Sequence, residues 1–416
     1  MKAICETQPV TMPHPPRIGG RPSSIVTTDR NMHLDSEQES VLHGESGQAL
    51  ALALKTLIRY GEVFGARRLV PISSAHLVGS FGIVFFKGCF DVLERLADEG
   101  ARFKVKTTVN PRPGREYSII NRLTFFKQRR LDATLERLGV TPNYSCACYE
   151  GGNRPAPGDR LAWAESSAVQ YANSVIGARS NANSLGIDFF SAVTGWAPEF
   201  GYLLDENRRG QVFVRLQIDR MDACALGFVL GKKVVDRVPV IEPYDFTPGD
   251  LKLLGAGLAC AGRVSMFHVV GLTPEAPDLR TVFQGPPAET IVITQEEIDA
   301  LRSPHPNQAD LVVFGCPHLT LDEAASLCER FVGKRVRRPA WVCMIPEHLE
   351  RFRGTKLYDA ASQAGVEMKS WCPLACLSAR FGFRRVLAGS SKLFYYLRGS
   401  EYGTTDDCLR ACGVNR

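Results

Sequence analysis

Apolar and polar residues alternate along this chain with two periods, and the changes of period mark most of its elements. Between residues 36 and 65 the apolar positions Val41, Leu50, Leu52, Leu54, Leu57 and Ile58 recur at helical spacing, which predicts one or two amphipathic helices. Residues 68–72 read as a short buried strand that delivers Ser73-Ser74-Ala75-His76 at its C-terminal end, where open α/β sheets bind ligands. A helix is predicted over 90–99, closed by Gly100, then a strand over 103–108 ending at Asn110-Pro111, then a helix over 131–138 ended by Gly139. Residues 144–159 form a loop rich in Gly and Pro that holds Cys146 and Cys148. From residue 160 charges become scarce and small residues common, so 162–179 reads as a helix that lets its neighbours approach closely, with Glu165 and Asn173 standing out in it.

Further along, 211–218 alternates like a strand, 250–260 has helical spacing and 264–270 reads as a strand. Pro274, Pro277, Pro286, Pro287, Pro304 and Pro306 make 271–310 looser, and a boundary is expected there. Beyond it strands at 310–315, 340–345, 366–371 and 385–388 alternate with helical segments at 321–332 and 347–364, which implies a parallel, doubly wound sheet.

With 416 residues, 44% hydrophobic and 23% charged, the chain has room for two or three domains. Lys and Arg exceed Asp and Glu by 50 − 44 = 6, and the clusters Arg208-Arg209 and 334–338 are short. No basic patch with interleaved aromatics points to nucleic acid; the modest positive balance fits a small anionic substrate. No apolar run approaches the roughly 18 residues of a membrane span. The N-terminus lacks the apolar core of a signal peptide, which points to the cytoplasm. Residues 1–30, with five prolines between Pro9 and Pro22, read as a flexible N-terminal extension. Thirteen cysteines, an odd number without a secretion signal, argue against a disulfide framework.

The useful question is whether three of those cysteines converge on a metal. Cys316, in Gly315-Cys316-Pro317-His318, and Cys372, in Trp371-Cys372-Pro373, each follow an apolar strand. Successive parallel strands release their loops at one sheet edge, so the two Cys-Pro turns can face one ligand. A third thiol can come from the Cys146/Cys148 loop. Three thiolates suit an iron–sulfur cluster with one iron left open as a Lewis acid. The spacing alone is also compatible with three unrelated buried cysteines, since there is no CxxC pair.

The run from Ala162 to Asn181, AWAESSAVQYANSVIGARSN, resembles the aconitase X family. So do Pro71-Ile72-Ser73-Ser74-Ala75-His76, the segment 204–209, Gly231-Lys232-Lys233, the segment 267–276 and Gly315-Cys316-Pro317-His318, in the family's order from about residue 34 to 400. The resemblance implies an aconitase-like multi-domain α/β fold, with parallel or mixed sheets flanked by helices around an iron centre. It divides the chain into an α/β core at 31–290, read as two subdomains, and a C-terminal doubly wound domain at 291–416. It also implies a hydro-lyase, a lyase that removes water from a small hydroxylated carboxylic acid. Family members dehydrate cis-3-hydroxy-L-proline or, in archaea, mevalonate 5-phosphate, and the former is the leading expectation here. The metal would be a mononuclear iron or a 2Fe-2S or 4Fe-4S iron–sulfur cluster on Cys316, Cys372 and one cysteine of the 146/148 loop. Cys146 is favoured, because Tyr149, Asn153 and Gly158 then keep their spacing to it. The small swivelling domain of the family is not found in this chain. A separate small subunit is therefore implied, supplying a serine base.

Dehydration removes a proton beside the carboxylate, releases the hydroxyl and holds the developing charge. Candidates for substrate binding are Ser73, Ser74, Asn110, Ser166, Asn173, Ser174, Arg179 and Lys392, with Arg179 as a forked carboxylate clamp. Glu165, His76 and Ser167 are the candidate catalytic residues, Glu165 as an acid whose pKa burial would raise. For His76 the competing reading is a satisfied core histidine, and for the small polar residues helix packing. Ser390-Ser391-Lys392 resembles the family's segment after the last strand, but Leu393-Phe394-Tyr395-Tyr396 and Ala182-Asn183-Ser184 depart from the family pattern. Those departures keep a non-catalytic iron-binding or regulatory homologue as the alternative.

Overall fold

The computed structural model describes residues 32–79, 87–378 and 383–414. The expected N-terminal extension lies outside them. The chain from Met32 onward forms one compact unit, and three parallel sheets carry it. In the first, strands β1 (Ser74–Leu77), β2 (Lys106–Val109), β3 (Arg160–Trp163) and β4 (Arg179–Ser180) lie in the order β2-β1-β3-β4. In the second, β5 (Val212–Gln217), β6 (Pro239–Ile241), β7 (His268–Val269) and β8 (Thr290–Thr294) lie in the order β8-β5-β6-β7. The third holds β9 (Leu311–Leu319), β10 (Ala340–Met344), β11 (Val366–Lys369), β12 (Val386–Ala388) and β13 (Ser400–Tyr402) in the order β11-β10-β9-β12-β13. The family α/β architecture expected from the sequence is thus present, and every strand of these three sheets is parallel to its neighbours.

Sheets covered on both faces read as continuous apolar runs. Strand β10 is buried at all five positions. Its side chains alternate between two cores: Val342 and Met344 pack with Phe314, Leu327 and Phe331 on one face, while Trp341 and Cys343 pack with Val313, Trp371 and Cys376 on the other. Capping boxes at Asp35, Thr247 and Thr320 start three of the helices. The helix Gln128–Leu138 stops at Gly139, whose φ of 89° is left-handed. In the second sheet the helices Ala223–Val234 and Pro248–Gly262 cross with their backbones nearly touching. A Cβ added at Gly227 would stand 2.2 Å from the Leu254 carbonyl oxygen, and one at Gly262 2.3 Å from that of Gly231.

Three expectations are corrected. The run at 68–72 is not the strand that delivers Ser73 and Ser74. Its core, Leu69–Pro71, pairs antiparallel with Trp196–Pro198, and β1 itself begins at Ser74. Both segments are short and apolar, and periodicity cannot rank two such runs. Residues 162–179 are not one helix: β3 ends at Trp163, the helix Ser166–Tyr171 follows, and a π-helical turn, Ala172–Ile176, leads into β4. Small residues are needed there for close packing in every conformation, so they did not specify a helix. Finally, the second sheet runs past residue 290, because β8 pairs with β5. No helix of the described residues is long and apolar enough to cross a membrane.

Candidate active site

Parallel strands present their C-terminal ends to ligands, and here the C-terminal edges of the first and third sheets meet. From the first sheet, Asn110 follows β2 and Glu165 follows β3. From the third, Cys316 lies within the bulged end of β9, Cys372 follows β11, and Ser390, Ser391 and Lys392 follow β12. The loop before β3 adds Cys146.

The contact that joins the two edges is a buried ion pair. The Lys392 ammonium donates to Glu165 Oε1 and, at 3.2 Å, to Ser167 Oγ. Glu165 caps the helix Ser166–Tyr171, its Oε2 accepting from Ala168 N at 2.8 Å and from Ser167 Oγ at 2.7 Å. Burial alone would push this carboxyl up. The Lys392 charge and these hydrogen bonds outweigh burial and hold it below the usual carboxylate range. Burial pulls the Lys392 ammonium down, and Glu165 together with the Cys316 and Cys146 thiols more than reverses that, leaving it raised. The expectation that Glu165 is a raised-pKa acid is therefore corrected: the lysine it needed to lack lies 227 residues further along the chain.

Among the described cysteines, Cys146, Cys316 and Cys372 keep partial exposure while the others are buried. The three thiols feel one another and Lys392. Burial pushes Cys146 and Cys316 up to about 12 and Cys372 to about 11. Cys316 is raised further by Cys372, while Lys392 lowers all three. Each also has a donor aimed at its sulfur: His318 N to Cys146 at 3.2 Å, Ala375 N to Cys372 at 3.3 Å, and the Ser390 hydroxyl to Cys316. Such donors favour the thiolate. Cys148 is wholly buried among Leu161, Trp163 and Ala168. Among the described residues no three His, Cys, Asp or Glu side chains already stand at the spacing of a single metal ion.

His76 is fully buried, with Nδ1 2.9 Å from Thr108 Oγ1 and Nε2 without a partner. Burial, only partly offset by Glu165, lowers its pKa to about 4, so the ring is neutral. Asn110 Oδ1 accepts from Gly79 N at 2.8 Å, and Ser166 stands half-buried at the start of its helix.

Other candidates are not brought to this place. Ser73 precedes β1 and Ser74 begins it, at the opposite edge, where Ser74 Oγ accepts from Trp163 Nε1. Ser174 Oγ accepts from Phe267 N. Asn173 is fully engaged with Ser180, Ser265 and Arg208. Arg179 aligns with Arg160 at the start of β3 and pairs with Asp205, whose side chain is 80% exposed. Arg179→Ala is accordingly expected to cost under about 1 kcal/mol, as exposed pairs do, and to leave KM unchanged; a KM raised tenfold in steady-state assays would return Arg179 to the pocket.

Three contributors escaped the sequence reading. Arg208, buried, donates to Glu275, to Asn173 and to the carbonyls of Tyr202 and Ala178, tying the second sheet to the first. Lys252 donates to Glu323 and to the His318 carbonyl. His318 lies between all three cysteine segments. A lone lysine in the apolar helix around Leu251 and Leu254 was the visible signal for Lys252.

Comparison with known proteins agrees with this arrangement. Family models for the aconitase X first, second and third domains match residues 31–206, 210–303 and 309–413. The phosphomevalonate dehydratase large subunit of Methanosarcina mazei is 33% identical over 91% of this chain and 96% of its own length. The cis-3-hydroxy-L-proline dehydratase of Pseudomonas aeruginosa is 32% identical over 92% of this chain and 70% of its own length. The crystal structure of Thermococcus kodakaraensis aconitase X in its holo-form superposes with a TM-score of 0.83 at 27% identity, covering 92% of this chain and all of the other. This chain belongs to the aconitase X family and is a dehydratase of that type.

Proposed function

We propose that the chain is the large, catalytic part of a two-part hydro-lyase that dehydrates a small hydroxylated carboxylic acid, with cis-3-hydroxy-L-proline as the leading substrate. The observation that carries it is the convergence of Cys146, Cys316 and Cys372 on the Glu165–Lys392 pair. The donor set fits iron. Three thiols with partial exposure and a hydrogen-bond donor each are the usual holders of iron–sulfur clusters. Around one ion with ~2.3 Å metal–sulfur bonds, thiolates would have to close to roughly 4 Å of one another. Bound there, such a centre would supply a Lewis acid for the departing hydroxyl.

The chain's own residues hold the rest of the substrate. Lys392 Nζ has three N–H donors; two engage Glu165 and Ser167, and the third faces the substrate carboxylate. Glu165 keeps that lysine charged and in place. Ser167 and Ser166 line the approach, and neutral His76 offers its unpartnered Nε2. The proton beside the carboxylate passes to a base on a small partner subunit. That the Methanosarcina relative is named a large subunit supports such a partner.

Lys392 and Lys252, the buried lysines beside the thiols, are each paired with a carboxylate. This favours a substrate bearing a carboxylate over one that adds a dianionic phosphate. Mevalonate 5-phosphate remains the second reading, because the chain spans nearly all of the Methanosarcina large subunit. The test is an anaerobic assay of the iron-reconstituted chain with its small subunit on both compounds, read by NMR of the product. Turnover of cis-3-hydroxy-L-proline at least tenfold above mevalonate 5-phosphate is expected. The reverse ratio selects the second reading, and no turnover of either sinks both.

A further inference from the structure

A metal centre held by three cysteines from distant parts of a chain needs something that fixes their mutual spacing before the metal arrives. Here one residue touches all three segments. His318 follows Cys316 by two positions, across a cis Cys316–Pro317 peptide. Its main-chain N–H donates to Cys146 Sγ at 3.2 Å. Its ring Nε2 lies 3.2 Å from the carbonyl oxygen of Trp371, the residue before Cys372. A carbonyl only accepts, so Nε2 carries the hydrogen and donates. Its own carbonyl accepts from Lys252 Nζ at 3.3 Å. The residue is 1% exposed, so its own donors and acceptor are shielded from water.

The chain around it is fixed as tightly. Gly315 has φ of 87°, which glycine adopts without strain, and a Cβ there would stand 1.9 Å from the Cys343 carbonyl oxygen. The main chain entering Cys316 is therefore pressed against β10. Pulling Trp371 through the His318 ring sets the Cys372 turn against that wall, and the amide of the same residue sets Cys146.

We propose that His318 is the positioning residue of the metal centre: it links the Cys146, Cys316 and Cys372 segments directly, its ring holding the Cys372 turn in register with the other two. The inference rests on the proposed thiol site. It does not depend on the substrate.

The test compares His318→Phe, which keeps the ring and removes the donor, with His318→Gln, whose amide nitrogen can reach the Trp371 carbonyl, and His318→Asn, whose amide is one bond too short. Thermal melts establish which variants fold. Iron release to a chelator from anaerobically reconstituted protein is expected to be about 10–100-fold faster in the Phe and Asn variants, the range typical of lost second-layer hydrogen bonds, with a changed visible absorption spectrum. The Gln variant should return close to the parent on both. A purely structural role would not sort the variants by amide reach. In the metal-free proteins, iodoacetamide labelling followed by mass spectrometry should show Cys372 reacting several-fold faster in Phe and Asn than in the parent or Gln. Release rates and spectra like the parent's in the Phe and Asn variants overturn the proposal. If the Phe variant does not fold, Asn against Gln decides: equal behaviour overturns it, and loss in Asn alone supports it. A parent that takes up no iron is the failure of the proposed function, and the Cys372 labelling rates then still accept or reject the clamp.

Discussion

If the proposed thiol centre holds iron, Cys316→Ser is expected to leave the reconstituted protein without it and to lower dehydration by at least about 10³-fold. The argument begins with the donor. A serine hydroxyl stays protonated where a thiol can be made a thiolate, and a neutral hydroxyl is a poor ligand for iron. Cys316 lies where Lys392, the Ser390 hydroxyl and the other thiols all act on it, between Gly315, which tolerates no side chain, and His318. The thiol beside it among the described residues cannot take its place. Cys343 is the adjacent thiol, but it is wholly buried within β10 and burial raises it well above the ordinary thiol range. Losing the Lewis acid removes several kcal/mol of charge stabilisation from the departing hydroxyl, and each ~1.4 kcal/mol is tenfold in rate. The measurement is iron and acid-labile sulfide per chain after anaerobic reconstitution, with turnover on the same samples. Cys146→Ser and Cys372→Ser should behave alike, and Cys148→Ala should keep its iron, since Cys148 faces the core of Leu161 and Trp163. Iron retained in Cys316→Ser, or lost in Cys148→Ala alone, would reject the thiol set.

The parallel sheet of the third segment was legible because four of its strands are compact apolar runs between turn residues, whereas β6 and β8 of the second sheet were not singled out. The Cys-Pro turns were legible for the same reason: an apolar strand ending in Gly-Cys-Pro or Trp-Cys-Pro marks a strand end. For the Cys146/Cys148 loop the sequence favoured Cys146 only through the family's spacing; the difference in burial, with Cys146 partly exposed and Cys148 buried, comes from packing. The serines at 73 and 74 were misplaced because the run before them belongs to a separate antiparallel pair, and the strand of the first sheet starts at Ser74, which puts them at the edge opposite the ligand. Arg179 was misjudged because a forked cation looks the same in sequence whether it faces a substrate or Asp205. Glu165 shows the limit most clearly: its isolation among small residues was visible, but the sign of its pKa shift depends on Lys392, a contact made only by the fold.

That pair carries the second large effect. Glu165→Gln is expected to destabilise the protein by about 3–5 kcal/mol, because it leaves the Lys392 ammonium buried beside an uncharged amide. Lys392→Met should cost a similar amount by stranding the carboxylate. The double variant Glu165→Gln/Lys392→Met should be far closer to the parent than the sum of the two, since it removes both charges together; a double-mutant cycle from denaturant midpoints measures the difference. Stability recovered in the double variant should bring no activity with it, because the lysine proposed to orient the substrate is gone. The pH dependence follows from the directions of the two shifts. Glu165 is held below the ordinary carboxylate range in the fold, so its contribution is fully present above that range and is lost as pH falls through the lowered folded value. Lys392 is raised in the fold, so its contribution is present below the ordinary lysine range and is lost only as pH climbs through the raised folded value. Between about pH 5 and pH 10 neither group titrates, and the parent's pH–rate profile should show no limb that disappears in Glu165→Gln. A limb near neutral pH present in the parent and absent from a folded Glu165→Gln variant would mean that Glu165 exchanges its proton during turnover, and would replace the reading of it as the fixed anion behind Lys392.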